Sequence, residues 1–133
     1  MENLQEKYKK FFGGICYAFC LVKKFNPSAS DAEIAMITLS GWNHKYLEDG
    51  GYIKYPVDFV NCFSYKKIKD VTKVPYSLKE LTEDVNIVMF EYNGGTHFVC
   101  MNKEGDVIFD PSGDSKSVKY GIPVSIRKFV YAV

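Results

Sequence analysis

Thr96-His97-Phe98-Val99-Cys100-Met101-Asn102-Lys103-Glu104-Gly105-Asp106-Val107-Ile108-Phe109-Asp110 reads as two strands joined by a short loop, and that hairpin decides the fold. Residues 96–102 and 106–110 are rich in Val, Ile and Phe, which suit a pleated, half-buried surface. Between them Lys103-Glu104-Gly105 supplies a glycine where a hairpin loop wants a left-handed residue. Outward from the hairpin, runs of the same kind at 66–71, 86–92 and 126–133 complete an expected antiparallel meander.

Ahead of residue 66 the apolar spacing is helical. Ile15 to Lys24 is apolar and ends on Lys23-Lys24, cations that suit a helix C-terminus, and Asn26-Pro27 stops it. Ser30 followed three residues on by Glu33 forms a capping box, with Ala32, Ala35, Met36 and Leu39 on one face and Gly41 as terminator. Asn43 is placed to cap a turn through Tyr46-Leu47 that closes at Gly50-Gly51, and Pro56 to open a helix through Phe63. Helices in one block and strands in the next predict an α+β fold, N-terminal helices packed on a C-terminal antiparallel sheet.

A length of 133 residues suits a single domain over 1–133, and a hydrophobic fraction of 47% with 16% aromatics suffices for one core. Lys and Arg number 17 against 16 Asp and Glu, so no basic excess points to nucleic acid. Lys66-Lys67-Ile68-Lys69 reads as a solvated strand face. The first ten residues hold no apolar signal region and no run approaches the roughly 20 apolar residues of a membrane span, so a cytoplasmic setting is expected. There Cys16, Cys20, Cys62 and Cys100 are expected to be reduced thiols.

A nucleophilic cysteine needs its thiolate favoured, and a helix N-terminus does this with unpaired N–H groups and a partial positive charge. Cys16 occupies such a position, after a Gly13-Gly14 pair that permits close backbone approach. His97, at the mouth of an apolar strand behind Gly94-Gly95, is the candidate base, and Asp110 on the partner strand is the candidate carboxylate to orient its ring. The hairpin bears on this set. A three-residue loop over 103–105 opposes Asn102 to Asp106 and leaves His97 and Asp110 on opposite faces, whereas a two-residue turn or a β-bulge near the strand end unites them. Asp114, in a turn-like Ser112-Gly113-Asp114-Ser115, competes for the orienting place. Cys20, Cys62 and Cys100 read as packing residues and His44 as an exposed helix residue; a zinc site from Cys16, Cys20, His44 and His97 lacks the usual Cys-x-x-Cys spacing. Tyr17 and Trp42 read either as cleft walls or as core.

Gly14-Ile15-Cys16-Tyr17-Ala18-Phe19-Cys20-Leu21, then Thr96-His97-Phe98-Val99, then Phe109-Asp110-Pro111 resembles the papain-like cysteine peptidases of the bacteriocin-processing branch. With Gly121-Ile122-Pro123-Val124-Ser125-Ile126-Arg127, it is similar to a small phage- and spirochaete-associated group in that superfamily. The resemblance implies a papain-like fold and a thiol-dependent peptidase or amidase with Cys16, His97 and Asp110 as its triad. The implied substrate is a peptide, isopeptide or cell-wall amide, and no metal or organic cofactor is implied. Papain-like enzymes usually carry an oxyanion-binding glutamine about six residues before the cysteine; here that position is Lys10, and Gln5 lies further upstream. That departure motivates a rival expectation, an inactive papain-like binding module with a phage association. A third, a nucleic-acid-associated phage-type protein, would use the Lys66 to Lys69 face.

Overall fold

The change from helical to strand spacing near residue 66 marks the division of a computed structural model that describes residues 15–48, 51–113 and 115–133. Helices α1 (Cys16–Phe25), α2 (Asp31–Asn43) and α3 (Pro56–Phe63) precede strand β1 (Ile68–Pro75) and a 3₁₀ turn (Leu78–Glu80). Strands β2 (Asn86–Tyr92), β3 (Gly95–Met101) and β4 (Val107–Phe109), a short helix α4 (Lys116–Tyr120) and β5 (Ile122–Tyr131) follow. The α+β class and the order of helices before strands agree with the sequence.

Local chemistry accounts for several element ends. Ser30 accepts from the Glu33 N–H at 3.2 Å while Glu33 accepts from the Ser30 N–H at 3.0 Å, closing the capping box that starts α2. Pro56 stands in the first turn of α3, where its missing N–H has no partner to lose. The hairpin loop keeps Asn102 opposite Asp106, their backbones bonded at 3.0 Å, and Gly105 takes φ 88°.

Two expectations about α2 are corrected. The inward face of α2 is Ile34, Ala35, Thr38 and Gly41, while Met36 is 68% exposed and Leu39 37%. Apolar residues occur all round this helix, so spacing alone does not choose its inner face. Gly41 decides it, because a Cβ there would sit 2.4 Å from the Phe59 ring. The helix accordingly runs two residues beyond Gly41 instead of stopping at it.

The sheet is antiparallel with order β1-β5-β2-β3-β4, so it is not a plain meander. The last strand enters between β1 and β2. β1 and β4 suit the edges, β1 being mostly exposed and ending at Pro75, and β4 being three residues long. β5 buries Ile126 and Phe129 in two different clusters, so it needs cover on both sides. One cluster joins Phe19, Leu21, Ile34, Phe59 and Val60 from the helices to Ile87 and Cys100. The other joins Val88, Val99, Met101 and Ile126 to Leu81, with Val118 of α4 packed against it. Adjacent residues Ile87 and Val88 of β2 belong to different clusters, as alternation across a sheet covered on both faces requires.

Candidate active site

Cys16 is the first residue of α1, and its N-cap, Ile15, provides no side-chain cap. Among the described residues the first-turn N–H groups, that of Cys16 included, are therefore not taken up by a capping side chain. Buried Ala18, Phe19, Leu21 and Val22 hold this helix in the core. At its far end Lys24 donates to the Val85 carbonyl at 2.6 Å and pairs with Glu83 at 3.0 Å. The thiol-bearing end is thus fixed from below, and Cys16 itself is 6% exposed.

His97 is the third residue of β3, which leaves a two-residue turn at Asn93 and Gly94, φ 51° and 76°, with Tyr92 paired to Gly95. Its Nε2 donates to Asp110 Oδ1 at 2.7 Å, and both side chains are nearly excluded from solvent. The loop alone would have separated these residues. A bulge in β4 reunites them: Met101 pairs with Val107 but Cys100 pairs with Phe109, so Ile108 is the extra residue and the register shifts by one.

Asp110 is held from several sides. Its Oδ1 also accepts the Ser112 N–H at 2.9 Å, and its carbonyl accepts from the Gly113 N–H at 2.9 Å. Burial pushes its carboxyl up, but hydrogen bonds from His97, the Ser115 hydroxyl and the Ser112 N–H outweigh this and hold it below the usual range. For His97, burial pushes the ring down, yet hydrogen bonds to Asp110 and to the Cys16 thiol, with their charges, raise it to about 9. With Nε2 taken by Asp110, Nδ1 is the ring nitrogen left for the sulfur.

The structure thus brings Cys16, His97 and Asp110 together. A cleft of about 540 Å³ opens beside the thiol, lined by Cys16, Tyr17, Tyr52, Ile53 and Phe98 and by the bare Gly94-Gly95-Thr96 edge. Tyr17 is therefore a cleft wall, whereas Trp42 lines a separate depression with Asn43, Lys45 and Lys54. Gly13, Gly14, Gln5, Lys10, Gly50 and Asp114 lie outside the described residues.

Of the other thiols, Cys20 and Cys100 are fully buried, the Cys100 thiol lying 3.7 Å from the Cys20 carbonyl. Burial, followed by the adjacent Cys100 thiol, pushes Cys20 well above an ordinary cysteine. Cys62 is a correction: it is exposed, because α3 turns Phe59 and Val60 inward and leaves Cys62 outside. His44 is exposed as expected, its Nδ1 donating to the Ser40 carbonyl at 2.8 Å. Among the described residues no group of three His, Cys, Asp or Glu is arranged to hold a metal ion, and no helix is long and apolar enough to cross a membrane.

Sequence reasoning missed two contributors. Ser115 caps α4 and hydrogen-bonds Asp110, although Ser115 at the start of Lys116-Ser117-Val118 was a readable cap. Arg127 lies 5.7 Å from the Tyr17 ring centroid and 5.0 Å from that of Phe98, rings that themselves stack at 4.6 Å. This contact joins the residue after the cysteine, the residue after the histidine and the late Val-Ser-x-Arg stretch. Compared with protein-family models, curated proteins and solved structures, the chain matches none.

Proposed function

We propose that this chain is a thiol-dependent hydrolase of an amide bond, papain-like in arrangement, with Cys16 as nucleophile, His97 as acid–base and Asp110 as the group that orients His97. The observation that carries this reading is the setting of His97, bonded to Asp110 at 2.7 Å through Nε2 and raised by its neighbours Asp110 and Cys16 against the pull of burial. A histidine raised to about 9 is a strong base for the Cys16 proton, so on transfer the sulfur attacks as a thiolate beside an imidazolium.

The chemistry then follows in balanced steps. The thiolate attacks the amide carbonyl carbon, forming a C–S bond, and the charge moves to the carbonyl oxygen, towards the Cys16 N–H at the start of α1. His97 returns its proton to the leaving amine as the C–N bond breaks. It next takes a proton from water, whose oxygen attacks the thioester and releases the carboxylic acid and Cys16. Asp110 keeps Nε2–H occupied, so the working nitrogen faces the sulfur throughout. A peptide, an isopeptide or a cell-wall cross-link each supplies such an amide, and the four unbridged cysteines suit a reducing cytoplasm.

The deciding measurement is the rate of iodoacetamide alkylation at each cysteine against pH, in wild type and His97→Ala. Selective labelling of Cys16 below pH 7, weakened by the substitution, is expected. Uniform slow labelling would remove the nucleophile and favour the rival that Lys10 suggests, a papain-like binding module without turnover.

A further inference from the structure

We propose that Lys73 and Arg127 form a carboxylate-binding subsite beside Cys16, so that the amide substrate carries an anionic group; this rests on the hydrolase reading above. In the β1–β5 ladder Lys73 stands directly opposite Arg127. The pair two residues along, Val71 and Phe129, packs with the helical core, so both cations rise on the helical face. Two like charges facing each other across a sheet destabilise it. Among the described residues no carboxylate forms an ion pair with either cation.

The two cations line a second cleft of about 360 Å³ with Tyr17, Pro56, Val71 and Thr72. Tyr17 is shared with the cleft at Cys16, so one ring separates the cations from the nucleophile. Arg127 is already aimed: its Nη1 donates to Ser125 Oγ at 3.0 Å, and it lies over the Tyr17 and Phe98 rings. A guanidinium fixed in this way presents its remaining N–H groups to a planar carboxylate at little entropic cost, and Lys73 adds a point charge. Occupation by an anion relieves the repulsion between the two cations. Among the described residues the cleft at Cys16 is lined by no Lys, Arg, Asp or Glu, so the discrimination lies one ring away from the chemistry.

Three isosteric probes test this: chloroacetyl-glutamine amide, which is neutral, chloroacetyl-glutamine with a free carboxyl terminus, and chloroacetyl-glutamate amide. In each the Cys16 thiolate forms a C–S bond and chloride leaves, and intact mass reports the rate. At low salt one carboxylate probe is expected to label Cys16 about five-fold faster than the neutral probe. Which one gains tells a chain terminus from an acidic side chain. In Lys73→Ala, at an exposed position whose folding circular dichroism verifies, the charged-to-neutral ratio is expected to fall towards one, as it should in Arg127→Gln. Ratios near one in wild type, with Cys16 still labelled selectively, overturn the subsite and leave the hydrolase reading intact. Loss of selective Cys16 labelling overturns the hydrolase reading instead, and the subsite is then judged by titrating glutarate into the Cys16→Ser protein. Saturable shifts of the Arg127 side-chain N–H signals, abolished in Lys73→Ala, support it; their absence overturns it.

Discussion

His97 shows how one side chain is set by opposing pulls. Burial opposes its charge, and the Asp110 and Cys16 contacts favour it and win, raising it from 6.5 to about 9. A proton held more tightly when folded stabilises the fold, so this contribution is complete below about 6.5 and is lost as pH rises through about 9. Asp110 works the other way. Held below its ordinary 3.8, it contributes above that value and the contribution is lost as pH falls through the depressed folded value. Urea midpoints should therefore be highest between about pH 4 and 6.5 as far as this pair is concerned, and His97→Ala should flatten the alkaline decline. Asp110→Asn keeps the shape but removes the charge. It should move the His97 titration, read by NMR, from about 9 towards 6.5 and slow Cys16 alkylation at pH 7 about tenfold. A titration left near 9 would take Asp110 out of its orienting role. Cys16 and His97 were legible because a helix start and a strand mouth announce themselves locally. Arg127 was not, since its contact with Tyr17 spans most of the chain and no spacing rule reaches across that distance.

Among the elements, β4 mattered most for its length. The loop Lys103-Glu104-Gly105 was readable and the parity conflict it creates was readable, but the place where the conflict is resolved, at Ile108, was not. Bulges depend on how neighbouring strands twist, which three apolar residues in a row do not encode. α2 failed differently, because apolar residues on every side leave its inner face to tertiary contacts such as Gly41 against Phe59. α4 is tied down at its end by Gly121, where a Cβ would sit 2.4 Å from the carbonyl oxygens of Glu91 and Ser117. Backbone oxygens cannot step aside as a flexible side chain can. Gly121→Ala should cost about 1–3 kcal/mol in urea unfolding, and a change within about 0.5 kcal/mol would mean that α4 relaxes away from β2.

The whole molecule is a sheet covered on both faces, with its larger cluster under the helices. Phe59 is fully buried where α2, α3 and the sheet meet, so Phe59→Ala should cost about 3–5 kcal/mol by urea denaturation. A cost below about 1 kcal/mol would mean that the helices repack around the gap. The five strands were visible in the sequence, yet their order was not, because pairing β5 with β1 is a long-range choice that local patterns leave open. That order bears on how the molecule comes into being. Until β5 arrives, β1 and β2 each present a bare edge, and a chain interrupted before residue 122 holds Cys16, His97 and Asp110 but a divided sheet. Contacts that span so much of the chain form slowly, so assembly should wait on the final strand, and the unfinished intermediate, with two sticky edges, is the species most prone to aggregate.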